Sequence, residues 1–259
     1  METNEYQPDW EVYFCQIEHN PAFIGVDLNL QKMAPVETQN KVIEVTVPLA
    51  SPGEDGFPAE SEWEALGQIE DALADTLETN LEAVFVGKTL NAGLRKFYFY
   101  AEEVLLAEHY LSQVRESFPG YQFEADIWED PEWETYLEFL FPEPMDLQKI
   151  RNGKVLRQLE ENGDNPAISR QVTHFVYFQD EASREKFWAG ISAQGYQKVE
   201  ERFDPDSEET PYILQVARET TTEQEAINEV VLSLWHLAQQ YNAAYDGWET
   251  SIETGDAAS

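Results

Sequence analysis

Among the features of this 259-residue chain, the tripeptide Pro142-Glu143-Pro144 most constrains how it can fold. Proline has no backbone N–H and holds φ near −65°, so two prolines around one residue cannot sit inside a helix or a central strand. The stretch predicts a boundary between two domains, residues 1–144 and 145–259. Each has the size of an ordinary single-core domain.

On both sides of that boundary the hydrophobic period alternates between 2 and 3.6. In the second half, residues 171–178 read as a strand and 180–194 as a helix carrying Phe187, Trp188 and Ile191 inward. Strands follow at 197–203 and 212–218. A Thr222/Glu225 capping box opens a helix that buries Ile227, Val230, Val231, Leu234, Ala238 and Tyr241. A last strand at 248–252 is entered through a turn at Asp246-Gly247, and a leading helix spans about 146–161. The first half gives the same order. A strand at 42–49 precedes a helix opened by a Ser61/Glu64 box and carrying Trp63, Leu66, Ile69, Leu73 and Leu77. Strands at 81–90 and 94–101 meet at a turn around Asn91-Ala92-Gly93. A helix marked by Val104, Ala107, Leu111, Val114 and Phe118 leads to strands at 121–128 and 136–141. An extra hairpin (9–18 and 22–30, turning at His19-Asn20-Pro21) precedes it. The fold class expected is α+β: two ferredoxin-like β-α-β-β-α-β domains, each an antiparallel sheet with helices on one face.

Charge narrows the function classes. There are 51 acidic and 16 basic residues, a net charge of −35. The first domain holds 6 basic against 30 acidic residues (−24) and the second 10 against 21 (−11). Such surfaces repel phosphate backbones and anionic membranes and attract basic protein surfaces. Cys15 is the only cysteine, which excludes an intrachain disulfide and a cysteine zinc cluster. The opening METNEYQPDW has neither the basic nor the apolar region of a signal peptide, and no apolar run reaches the roughly 20 residues of a membrane span. The expectation is a cytoplasmic protein with no cofactor.

Catalytic motifs do not emerge. His19, His109, His174 and His236 fall in no metal-ligand spacing, and phosphate loops and nucleophile elbows are missing. His174, on a strand beside Phe175, reads as a packed histidine. Tyr98, Phe99 and Tyr100 read as alternating core and surface aromatics of a strand, not an RNA-stacking platform. A short echo links Gly120-Tyr121-Gln122 to Gly195-Tyr196-Gln197, through duplication or through convergence of strand–helix–strand units.

Residues 159–164 (Leu-Glu-Glu-Asn-Gly-Asp), Arg170-x-Val172-x-His174-Phe175, Phe187, Gly195-Tyr196 and the closing Tyr245-Asp246-Gly247-Trp248-Glu249-Thr250 form a further pattern. With it the second half resembles the regulator of ribonuclease E activity B family over about residues 146–253. The first half is similar to the domain of unknown function 695, notably at residues 10–15. The resemblance implies a non-catalytic ferredoxin-like protein that binds an endoribonuclease and lowers its activity. It singles out Arg170, His174, Gly195, Tyr196, Tyr245, Asp246, Gly247 and Trp248 as structural or partner-contact positions. The leading expectation is an acidic regulator docking on a basic protein surface, with no direct nucleic-acid or membrane binding. Two rival classes stay open: an immunity-type or nucleic-acid-mimicking inhibitor of another basic enzyme, and a hydrolase with an unrecognised carboxylate site.

Overall fold

A computed structural model describes residues 6–255. The expected frayed tail at 255–259 lies outside them save for Gly255, as do the first five residues of the segment expected not to be a signal peptide. The chain forms two compact units that part between Pro142 and Glu143. Each is built on one antiparallel sheet, so the α+β class holds.

The first unit runs β1 (Trp10–Ile17), β2 (Asn20–Asp27), β3 (Lys41–Pro48), α1 (Trp63–Leu81), β4 (Val84–Asn91), β5 (Leu94–Ala101), α2 (Ala107–Ser117) and β6 (Glu124–Glu129). Its six strands lie in the order β1-β2-β4-β5-β3-β6, all neighbours antiparallel. The hairpin β1–β2 turns at Glu18-His19, both at positive φ (50° and 69°), one residue before the expected turn. Two residues at positive φ match the right-handed twist of the flanking strands.

Helices were expected on one face of this sheet, yet both faces are covered. α1 and α2 pack on Ile43, Val45, Phe97 and Phe99. On the opposite face Val42, Val86, Tyr98 and Tyr100 pack under Trp133, Tyr136 and Leu140. Tyr136 and Leu140 belong to the segment expected to form a strand at 136–141, and Trp133 precedes it; residues Thr135–Leu140 are instead a π-helical turn. Asp130 sets it, accepting from the backbone N–H groups of Glu134 (2.8 Å) and Thr135 (2.9 Å) and from the Tyr100 hydroxyl (2.6 Å). The apolar run then points Trp133, Tyr136 and Leu140 inward at helical spacing. Consequently Phe97, Tyr98, Phe99 and Tyr100 are all buried, and none is the surface aromatic the sequence predicts.

The second unit runs α3 (Pro144–Glu161), β7 (Arg170–Phe178), α4 (Glu181–Ile191), β8 (Gln197–Phe203), β9 (Tyr212–Thr220), α5 (Gln224–Gln240) and β10 (Ala244–Thr250), with strand order β10-β7-β9-β8. Pro144 opens α3, where its missing N–H costs nothing. One core holds residues of all three helices and of the inward face of the sheet.

Neither capping box forms. Glu62, not Ser61, precedes α1, and its buried carboxylate accepts from the N–H groups of Ala50 (2.7 Å) and Ser51 (3.2 Å). Trp63 therefore faces solvent instead of the core. Thr222 donates to Asp164 (3.3 Å) and leaves α5 without a side-chain cap.

Candidate functional site

The signature residues of the second unit divide into a buried set that shapes the sheet and a surface that this shaping exposes. In β10, Tyr245 pairs with Val176 and Gly247 with Phe175, so Asp246 is an extra residue in a β-bulge. This corrects the turn expected at Asp246-Gly247. The bulge has a geometric purpose. Residues three apart on an unbroken strand face opposite sides, whereas one inserted residue lets Tyr245 and Trp248 both enter the core. Gly247 takes a φ of 126°, and a Cβ there would meet nothing within 4 Å, so its requirement is conformational.

Once inside, both aromatics are pinned. The Trp248 indole N–H donates to Asn152 Oδ1 of α3 (2.9 Å), and Asn152 Nδ2 donates to Asn228 Oδ1 of α5 (2.8 Å). The Tyr245 hydroxyl lies 2.9 Å from His174 Nδ1. His174 is wholly buried, and its Nε2 has no protein partner. Burial first, and the Arg218 cation second, push its pKa down to about 3. His174 is thus a neutral packed residue, too weak a base to take protons near neutral pH. Arg218 in turn lies over the Tyr196 ring (5.0 Å). Gly195, at φ 85°, ends the helical segment after α4.

Arg170 closes the bottom of the unit. Its guanidinium forms a buried ion pair with Asp164 and donates to the carbonyls of Ile168 (3.1 Å), Ser251 (3.0 Å) and Asn165. Asp164 also accepts from the Glu253 N–H (2.8 Å). Burial alone would raise the Asp164 pKa, but Arg170 and that N–H hold it below the ordinary carboxylate value. The knot ties the loop after α3 to the chain leaving β10.

With Arg170, Val172, His174 and Val176 turned inward, the pleat turns Gln171, Thr173, Phe175 and Tyr177 outward. Among the described residues of this unit, no helix packs on that side. Phe175 and Tyr177 are half-buried side by side. Register places Glu219 opposite Gln171, Glu249 opposite Thr173, and Glu200 opposite Gln215, itself the neighbour of Phe175. Asp246, on the bulge, is exposed. The Tyr177 hydroxyl has a raised pKa, through partial burial first and then Asp246, with Arg202 opposing and Glu200 adding. Glu200 holds Gln215 (2.7 Å) and lies 3.5 Å from Arg202. The face is a pair of aromatics rimmed by carboxylates. Of the signature positions only Asp246 and Gly247 border it. Tyr177, Glu200 and Glu249 were not singled out from sequence, although the alternation along 170–178 marks Tyr177 as outward once His174 is inward.

The first unit offers a recess of ≈ 430 Å³ between Trp128, Phe139 and Tyr98, floored by the Glu44–Lys96 ion pair (2.8 Å). Among the described residues, no three His, Cys, Asp or Glu side chains are grouped to hold a metal ion, and no helix is long and apolar enough to cross a membrane.

Comparison with known proteins fits this division. Residues 8–141, just over half of the chain, match the family model described as "Family of unknown function (DUF695)". The chain belongs to the DUF695 family. Residues 149–250 of this DUF695 protein match a second model, "Regulator of ribonuclease activity B". A curated protein of that description from Salmonella typhi is 26% identical over 113 residues, covering 43% of this chain and 82% of the relative. Both resemblances seen in the sequence are therefore shown. A crystal structure of an unknown protein from Galdieria sulphuraria aligns over 82% of this chain and 99% of its own, at 13% identity and a TM-score of 0.24.

Proposed function

We propose that this DUF695 protein is a non-catalytic, cytoplasmic regulator of a ribonuclease, and that its second unit docks a basic surface of the enzyme on the open face of the sheet. The carrying observation is that the region matching the ribonuclease regulator model leaves one sheet face without a helix and places Phe175 and Tyr177 there within a carboxylate rim. Aromatic side chains anchor interfaces through large desolvated areas, and complementary charge speeds encounter. Carboxylates seated on an Arg/Lys-rich segment would displace RNA from it, and the net charge of −35 opposes direct RNA binding by this chain. Both units belong, in this reading, to the ferredoxin-like class. The strand order β10-β7-β9-β8 supports it, as does the β4-β5-β3-β6 portion of the larger sheet. The two domains are separable near residues 142–146.

The test is a titration of endoribonuclease activity with the full chain at low and physiological salt. Activity should fall on addition, and the apparent affinity should weaken at the higher salt, because exposed charges are screened beyond about 8 Å. Undiminished activity, or turnover of a substrate by this chain alone, would sink the proposal.

A further inference from the structure

The six-stranded sheet of the first unit is wider than the two helices laid across it. Six strands at about 4.8 Å spacing span about 24 Å, whereas two helices about 10 Å wide cover about 20 Å. α1 and α2 sit over β3, β4 and β5; on the same face Phe23 of β2 packs with Leu66, Leu90 and Phe57, and β1 lies beyond the helices. Large apolar side chains stand there in the open: Trp10 (38% exposed), Val12 (59%) and Phe14 (55%) on β1, and Trp63 (47%) on α1. Between them runs a slot of ≈ 500 Å³ lined by Val12, Phe23, Gly25, Trp63, Leu66 and Gly67.

Two details fit the slot to an incoming backbone. At Gly25 any Cβ would press on the Lys88 stem, 2.8 Å from Cε, so the lysine lies flat over the glycine. Its ammonium ion-pairs with Glu70, which also holds Arg95 (2.9 Å). The charges are consumed internally and the stem serves as apolar floor. On α1, Gly67 lies one turn from Trp63, and a Cβ there would meet nothing within 4 Å. Glycine weakens a helix interior, and no packing inside the unit calls for one here. It does allow a second helix to approach α1 closely.

We propose that this slot receives an amphipathic helix of a protein partner, one with an apolar stripe flanked by lysine and arginine. The charge selects that occupant. Glu64 and Asp71 are exposed on α1, Asp71 at the slot itself, and residues 1–142 carry 6 basic against 29 acidic residues. A second copy of the chain would bring like charge against like, whereas basic flanks complement the rim. The site lies in the first unit and stands apart from the ribonuclease-regulator reading of the second.

The experiment uses the full chain and two synthetic 14-residue helical peptides with one leucine stripe, flanked in one by lysines and in the other by glutamates. The lysine peptide should shift the Trp10 and Trp63 indole resonances and bind at least tenfold tighter than the glutamate peptide. Gly67→Leu, which fills the slot without entering the core, should weaken binding at least tenfold with the melting temperature held or raised. Failure of the lysine peptide to bind, equal binding of the two peptides, or unchanged binding by folded Gly67→Leu would overturn the proposal. So would a dimer of the free chain that Gly67→Leu dissolves, which would give the slot to a second copy.

Discussion

The two units share one order of elements but treat their sheets differently. In the first, a hairpin widens the sheet to six strands, and the 130–141 segment roofs the face opposite the helices. In the second, four strands carry helices on one side only. The same aromatic-rich strand pattern is therefore core in one unit and surface in the other. Phe97, Tyr98, Phe99 and Tyr100 vanish between two layers, while Phe175 and Tyr177 remain half-open. The lesson is that strand sequence alone does not decide exposure; what lies beyond the strands does.

Removing the roof should break the contrast most. Trp133 is wholly buried, stacks on Tyr100 (centroids 4.1 Å apart) and donates to the Gln39 carbonyl (2.7 Å). Trp133→Ala should cost about 3–5 kcal/mol, as large buried aromatics do when truncated. Hydrogen exchange should report it in β3 and β5 but not in β7. Loss of protection in both units to the same extent would mean that they unfold as one.

A smaller effect is expected in the second unit. The His174 pKa is depressed from 6.5 to about 3, so between those values the unfolded state binds more protons than the folded one. His174 then contributes stability that is complete above pH 6.5 and is lost as pH falls toward 3, at up to about 1.4 kcal/mol per unit. His174→Gln keeps a hydrogen-bonding group opposite Tyr245 but does not titrate. Protection of the β7 amides should decline less steeply from pH 7 to 5 in this variant than in the parent. Identical slopes would show that His174 is not held neutral.

The least disruptive change is at the bulge. Gly247→Ala places a side chain at a φ of 126°, a region nearly reserved for glycine, and should cost on the order of 1–3 kcal/mol. Because Tyr245 and Trp248 depend on that bulge, their ring resonances should move as well. Retained stability and unmoved rings would mean that β10 tolerates another register.

Much of this was legible in the sequence. The Pro-Glu-Pro stretch stands where the compact units part, and period-2 and period-3.6 runs located the helices and most strands. Three of the misses share a cause: a side chain bonded where the local pattern does not place it. Asp130 turned an apolar run into a π-helical turn, Glu62 replaced Ser61 ahead of α1, and Thr222 served Asp164 instead of its own helix. The Gly-Tyr-Gln echo falls at different places in the two units. Its neighbouring strands are β5, third in its β-α-β-β-α-β set, and β7, first in its own, and Gly195 adopts positive φ whereas Gly120 does not. Similar strand–helix–strand units account for it better than duplication of a domain. For the candidate site, the signature pointed to residues that mostly lie inside, because a motif holding a bulge and a core in place is as distinctive as one that touches a partner.

In the proposed function, the open face of the second sheet is the surface that meets the ribonuclease. The most direct measurement is partner affinity of the full chain carrying Phe175→Ala and Tyr177→Ala together, with melting followed in parallel. At least a tenfold loss of affinity is expected, the mark of removing an aromatic anchor, in a chain that still folds, with a milder, salt-dependent loss for Glu249→Lys on the rim. Full affinity in the folded double variant would contradict it and move the contact elsewhere on the molecule.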